Sequence, residues 1–376
     1  MSVASRVGPL IARGVVALGA AAAVSASCSR DRSALEQDPT QAGGGGGAAV
    51  STAIGLVTAT TGDGGYGAFG VGNGGRDPSS SNGQGGDGGA RPVEPDGPNR
   101  VVVVHGIADR DRLAFCFASP AGEGLAVAPF PKGGLWFAGV ADVDVEALPT
   151  SGDAVVMVVS GAEIDLEEAS CAKLLAEPGA TPELEVAALG LVPEGALSAP
   201  RILVLAATGC LGGEDHENEL MEQACGAGYG ALSPTASLVA ASPSRLAAPD
   251  RLGIQSIGAS LAAAPFDVLL RPNLDGVPFR VTEALSWGAS APFPPNQERA
   301  AVYVGVPAQL STIVTLPNDD EVPLDEIDLA GAAERAGINT FSDGEAITIA
   351  FVGAQPGLGD GPWWHGFDAV LIPKDP

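Results

Sequence analysis

With three histidines and three lysines (Lys132, Lys173 and Lys374), the chain offers few side chains besides carboxylates for general acid–base work. His105 closes a valine run and precedes Gly106. Asp109 or Asp111 supplies an acid partner for it, but no nucleophile accompanies them, and the setting favours a histidine that bonds local backbone at a turn. His216 sits in Gly213-Glu-Asp-His-Glu-Asn-Glu219, whose oxygen and imidazole donors suit a divalent cation, although a solvated polar loop is the simpler reading. His365 follows Trp363 and Trp364 in Gly361-Pro-Trp-Trp-His-Gly366. Two adjacent aromatics beside a histidine form a candidate patch for stacking a sugar or a peptide. Such pairs more often divide the work, one ring on the core and one capping a loop.

Asp142, Asp144 and Glu146 alternate, so an extended backbone places all three on one face. Together with Asn318-Asp319-Asp320-Glu321 they are the best calcium candidates, because closely spaced hard oxygens suit that ion. Asp142, Asp144, Asp319 and Asp320 are therefore the metal ligands to follow. Neither run has the loop spacing of a calcium-binding hand, and acidic residues equally serve as solvated guards of strand edges. No other cofactor is suggested. Gly253-Ile-Gln-Ser-Ile-Gly258 has the wrong spacing for a nucleophile elbow. The His-Glu-x-x-His, phosphate-loop and dinucleotide signatures are missing as well. The chain reads as a non-enzyme. The alternative is a secreted glycan hydrolase working through paired carboxylates, with Trp363 and Trp364 as its platform.

These residues must be positioned by short elements. Val101 to Val104, Leu113 to Phe117, Ala154 to Val159, Ile202 to Ala206, Phe266 to Leu270, Ala301 to Val306 and Ala346 to Val352 are brief apolar runs between Gly/Pro turns. Such runs predict strands of a sandwich or barrel. Helices are expected at Glu163 to Glu177, Leu324 to Ala336 and Glu217 to Ala224. The halves echo one another. Arg100, Ala108, Phe115 and Trp136 find Arg251, Ala259, Phe266 and Trp287, each 151 residues on. Pro129-Phe130 matches Pro278-Phe279 with a small shift. The fold class expected is mainly β: two tandem sandwich units with a few short helices, each using its Trp to fill its core.

The segment Arg100-Val-Val-Val-Val-His-Gly-Ile-Ala-Asp-Arg-Asp-Arg-Leu-Ala-Phe-Cys-Phe117 resembles the opening of a family of bacterial cell-surface domains of unknown function. Repeats of that family begin with a strand ending in His-Ala-Ser-Pro-Asp-Ala-Pro and continue into a second strand. Here His105 and Asp109 take the His and Asp positions, and Ala114 to Phe117 the second strand. The second copy, Leu252 to Leu270, keeps Ala264-Pro-Phe-Asp-Val-Leu269 and has Ser256 in the His position. The resemblance implies immunoglobulin-like sandwiches, export and a surface role rather than a known reaction.

The chain's beginning says where such a body works. Arg6 and Arg13 precede an uncharged run, Gly14 to Ser27, that is shorter than the ~20 residues of a membrane span. Residues 1–27 read as a signal peptide. Val24-Ser-Ala-Ser-Cys28 is similar to a bacterial lipobox, which makes Cys28 the lipidated first residue of the mature protein; cleavage before Ser27 is the soluble alternative. Residues 28–99 read as a disordered Gly/Ser-rich linker, apart from an Ala48 to Thr61 island. At ~5–6 Å × √n, about 70 flexible residues reach on the order of 45–50 Å. Residues 100–245 and 246–376 are the two expected units. A net charge of −26 argues against nucleic acid and against docking on anionic lipid. The four cysteines of the body predict two disulfides. Cys210 and Cys225 close a polar excursion from Gly209 to Gly226, which leaves Cys116 with Cys171. The expectation is an exported, lipid-anchored envelope protein of the outer membrane or cell surface, with a binding or structural role toward an envelope protein or glycan. A calcium-stabilised adhesion module is a further alternative.

Overall fold

The computed structural model describes residues 58–59, 69–70, 94–95, 97–120, 128–145, 148–149, 152–161, 170–177, 184–272, 276–298, 309–317 and 319–373. Two short strands come first, β1 (Thr58–Ala59) and β2 (Phe69–Gly70). The first half then supplies β3 (Arg100–Ile107), β4 (Arg112–Ala118), β5 (Phe130–Trp136), β6 (Val140–Val143) and β7 (Ala154–Ser160). After helix α1 (Cys171–Ala176) follow β8 (Glu185–Val192), β9 (Ile202–Gly209), α2 (Met221–Cys225) and β10 (Ser237–Ala241). The second half runs through β11 (Leu252–Gly258), β12 (Phe266–Pro272), β13 (Phe279–Leu285), β14 (Ser290–Glu298), β15 (Leu310–Leu316) and β16 (Asp319–Asp328). Helix α3 (Leu329–Arg335), β17 (Ala346–Val352) and β18 (Asp368–Pro373) complete it.

The expected mainly β body is present. Four sheets form, ordered β1-β2-β10-β9-β3-β6, β5-β4-β7-β8, β14-β11-β17-β18 and β13-β12-β15-β16. Apart from β1 and β2, the second pair of sheets repeats the first strand for strand. In each half the first and seventh strands run parallel, β3 with β9 and β11 with β17. This eight-stranded order is more particular than a generic immunoglobulin-like sandwich, whose sheets are ordered ABED and CFG.

Three apolar layers hold the four sheets together. Val101, Val103, Phe115, Val156 and Leu205 fill the first sandwich, and Ile254, Phe266, Val314, Ile349 and Phe351 the second. Between them Val102, Val104, Val204 and Val239 pack on Ile257, Ala350, Val352 and Val370. The inner strands are therefore covered on both faces, which is why β3 reads as an unbroken valine run rather than an alternation. Each such side chain contributes roughly 1.5–3 kcal/mol on burial. The outer face of β7 is covered by α1, which the Cys116–Cys171 disulfide ties to β4. The second expected bridge, Cys210–Cys225, closes across a sequence separation of 15 residues.

Several expectations are corrected. Trp136 is 62% exposed, and Trp287 lies half-buried against the layer between the halves, so neither fills a sandwich core; Phe115 and Phe266 do that. Leu324 to Asp328 is strand, not helix. Ladder pairing of Asp325, Glu326, Ile327 and Asp328 with β15 overrides their helical spacing, and the helix begins only after Asp328, whose carboxylate accepts the Ala330 N–H at 2.9 Å. The helix expected over Glu217 to Ala224 is only Met221–Cys225. Of Glu163 to Glu177, the structure describes a helix at Cys171–Ala176. The strand expected at Ala301 to Val306 lies outside the described residues, as do Cys28 and the signal region. Within the expected linker, β2 pairs with β1 and with β10 through Phe69 and Ala240, so this part of the segment extends the first half's sheet. Glu94, near the linker's end, accepts the Ser244 hydroxyl at 2.7 Å and the Arg245 N–H.

Candidate functional site

A cleft of about 930 Å³ opens where the ends of the two halves meet. Its lower wall is the turn from β3 to β4, Asp109 to Arg112, with Trp136 at the end of β5 and Glu185 at the start of β8. Across it stand His216, from the disulfide-stapled β9–β10 connection, and Asp360 to His365, from the β17–β18 connection.

Asp109 organises the polar wall. Its fully buried carboxylate accepts the Leu211 N–H at 2.9 Å and the Gly212 N–H at 2.8 Å. Arg110 lies 3.0 Å from it and His216 Nδ1 3.3 Å. Arg110 also grips Glu185 at 2.5 Å and donates to the Gly212 carbonyl at 2.7 Å, so its guanidinium is fully committed. Arg112 donates to the Gly133 carbonyl and sits over Trp136, its Cζ 4.8 Å from the ring centroid.

The aromatic wall is built by stacking. Trp363 lies parallel to the His216 ring at 4.5 Å and edge-on to Trp364 at 4.9 Å, with Tyr229 at 6.0 Å. Trp364 is buried and donates its indole N–H to the Gly359 carbonyl at 3.0 Å. It folds over Gly361, where any Cβ would fall 2.1 Å from the indole, so glycine alone fits there. His365 stacks on Phe137 at 4.3 Å, and its Nε2 meets the Asp111 carboxylate at 2.9 Å. Its backbone N–H is held by the Ala108 carbonyl at 2.7 Å, which joins the second half's loop to the first half's strand end.

Behind this wall His105 is fully buried, edge-on to Phe137 at 5.8 Å. Desolvation, reinforced by the neighbouring His365 and opposed by the Arg110 backbone, lowers its pKa to about 3, so the ring is neutral at physiological pH. Burial and the Asp109 charge likewise push the Tyr229 hydroxyl up to about 12.

The structure brings the predicted Trp363, Trp364 and His365 patch together with His216, Asp109 and Asp111, residues separated by up to 256 positions in the chain. The predicted division of labour between the tryptophans also holds: Trp364 packs inward and Trp363 caps the loops. Of the calcium candidates, Asp142, Asp144 and Asp319 do not line the cleft, and Glu146 and Asn318 lie outside the described residues. Asp142 is paired with Arg100 at 2.5 Å and 3.0 Å, and no group of three or more potential ligands is gathered among the described residues. Arg110, Arg112, Phe137 and Glu185 escaped the sequence reading, and Trp136, expected in a sandwich core, lies at the cleft instead. The one available signal was the alternation Asp109-Arg-Asp-Arg112, both signs of charge at the end of a buried strand.

Chemically, the wall offers hydrogen-bond acceptors and ring faces. Asp109, Glu185 and Asp111 are each paired with an Arg or His, and Asp360 accepts the Gly366 N–H at 2.7 Å. Comparisons with protein-family models and with curated proteins return no match for this chain.

Proposed function

We propose that this chain is an exported envelope protein, lipid-anchored through Cys28, that binds an envelope ligand in the cleft between its two halves and performs no reaction on it. Outer membrane or cell surface is the location that suits Ser29 as the second mature residue. The observation that carries the binding role is the Trp363–His216 stack set beside the exposed Trp136, with polar groups already fixed in pairs around both. An exposed large aromatic in a rigid concave wall marks a recognition surface. Two disulfides in the body and openings at Arg100 and Leu252 that resemble surface-domain repeats favour the same setting.

Two measurements test it. Intact mass after membrane fractionation is expected to begin at Cys28 with added acyl chains; a soluble chain beginning at Ser27 removes the anchor. Co-sedimentation of the purified full chain with isolated envelope is expected to be saturable and to weaken about tenfold in Trp363→Ala, the loss of ~1.4 kcal/mol that one stacked ring provides. Equal sedimentation of both proteins, or none of either, overturns the binding role.

A further inference from the structure

We infer that the ligand taken by this cleft is a neutral carbohydrate, an assignment that rests on the binding role proposed above. The argument begins with what the wall lacks. An anionic ligand needs a cation to spare. Arg110 is spent on Asp109, Glu185 and the Gly212 carbonyl, and Arg112, set against the Gly133 carbonyl and Trp136, stands in a lining that also carries the carboxylates of Asp109, Asp111, Glu185 and Asp360. The chain's net charge of −26 also repels anions at long range. A cationic ligand would have to compete with contacts these carboxylates already make: Asp109 and Glu185 share Arg110, Asp111 meets His365, and Asp360 accepts the Gly366 N–H. What remains unspent is lone pairs and ring faces. Glu185 and Asp111 each engage one oxygen, which leaves the other to accept a hydroxyl, whereas the fully buried Asp109 already holds four partners.

The rings complete the match. Trp136 stays 62% exposed although Arg112 covers one of its faces. Trp363 is held rigid between His216 and Trp364. An indole face carries a negative quadrupole, which attracts the polarised C–H groups on the face of a sugar ring. Planar rings edged by paired carboxylates, in an open cleft of about 930 Å³, suit a short run of sugar units.

The test is titration of the purified full chain with neutral hexasaccharides of glucose, mannose and N-acetylglucosamine, read by tryptophan fluorescence and calorimetry. Saturable binding by at least one, unchanged between low and high salt, is expected. It should weaken about tenfold in Trp363→Ala and severalfold in Trp136→Ala. The exposed Trp136 variant guards against a folding defect, and near-UV circular dichroism verifies both. No response to any oligosaccharide overturns the carbohydrate assignment while envelope co-sedimentation, if retained, leaves the binding role standing. Binding of an oligolysine peptide that disappears with salt, in place of sugar, overturns it in favour of a cationic ligand. Sugar binding that both variants retain in full places the site elsewhere and overturns it too.

Discussion

The two halves share one strand order, and the difference that shapes the cleft starts from a single position. Asp109 and Ser260 follow equivalent strands, each just past an alanine, Ala108 or Ala259, whose N–H bonds the seventh strand at 2.8 Å. Both clamp the connection that leaves that strand. Asp109 accepts two N–H groups, from Leu211 and Gly212, whereas the Ser260 hydroxyl lies 2.9 Å and 2.8 Å from the carbonyls of Gly353 and Ala354. The task is the same, but a buried charge cannot stand alone. Asp109 therefore draws in Arg110 and His216, and Arg110 draws in Glu185, which together make a polar wall. The neutral Ser260 requires no escort, and its neighbours are Leu261, Ala262 and Ala263. One half thus provides the polar wall and the other the aromatic loop that faces it.

The largest effect should come from breaking that charge. Asp109→Ala leaves the Leu211 and Gly212 N–H groups unpaired in a buried place, while Arg110 keeps Glu185, and is expected to cost about 3–5 kcal/mol of stability in urea melts. Ser260→Ala loses a neutral hydrogen bond and should cost about 1 kcal/mol. Equal losses would show that the two clamps are energetically alike despite their chemistry. Next in size is the staple that the first half's connection has and the second half's lacks. Cys210→Ser with Cys225→Ser should remove about 3 kcal/mol, from closure of a 15-residue separation, and should disorder His216 before it disturbs β9. Hydrogen exchange at residues 211–224 reads this directly.

The same comparison extends to pH. His105 and Ser256 occupy equivalent buried positions, and only one of them titrates. The folded pKa of His105 is lowered to about 3 from the ordinary histidine value of 6.5. Between those values the unfolded chain binds more protons than the folded one. The stability linked to His105 is therefore complete above pH 6.5 and is lost as pH falls toward 3, by up to about 1.4 kcal/mol per pH unit. His105→Phe is expected to flatten that part of the stability–pH curve. An unchanged slope would assign acid sensitivity to the carboxylates instead.

How much of this was legible in the sequence depends on range. The strand runs, the repeat and both cysteine pairs follow from local pattern and counting, and the offset of 151 residues preserves the inward-facing register, with Val101 and Val103 matching Leu252 and Ile254 in their respective cores. Pattern could not show that the two sandwiches lie against each other. The doubly buried β3 and β9 read as fully apolar strands, and periodicity does not say what covers the second face. β16 was misread because its acidic and apolar residues also fit a helix until β15 is beside it. The edges differ for a similar reason. β10 is extended by β2 from the linker, whereas in the second half α3 packs near β18, with Arg335 on the Asp368 carboxylate and the Ala369 carbonyl. Nothing local in either segment announces such a partner.

The smallest effect on stability is the one that separates structure from recognition. Trp136 and Trp287 are equivalent in sequence, yet Trp287 packs on the layer between the halves and Trp136 stands 62% exposed in the cleft. Removing an exposed side chain leaves stability within about 0.5 kcal/mol, so Trp136→Ala should melt like the parent. Trp287→Ala should lower the melting temperature, because its ring fills space between packed sheets. In ligand titrations the order should reverse, with Trp136→Ala weakened and Trp287→Ala near normal. A duplicated residue kept in both copies would then have two different reasons for being there, one of packing and one of contact. If the two variants instead lose stability alike, Trp136 is a structural ring whose exposure has no use, and the cleft must recognise its ligand through Trp363 alone.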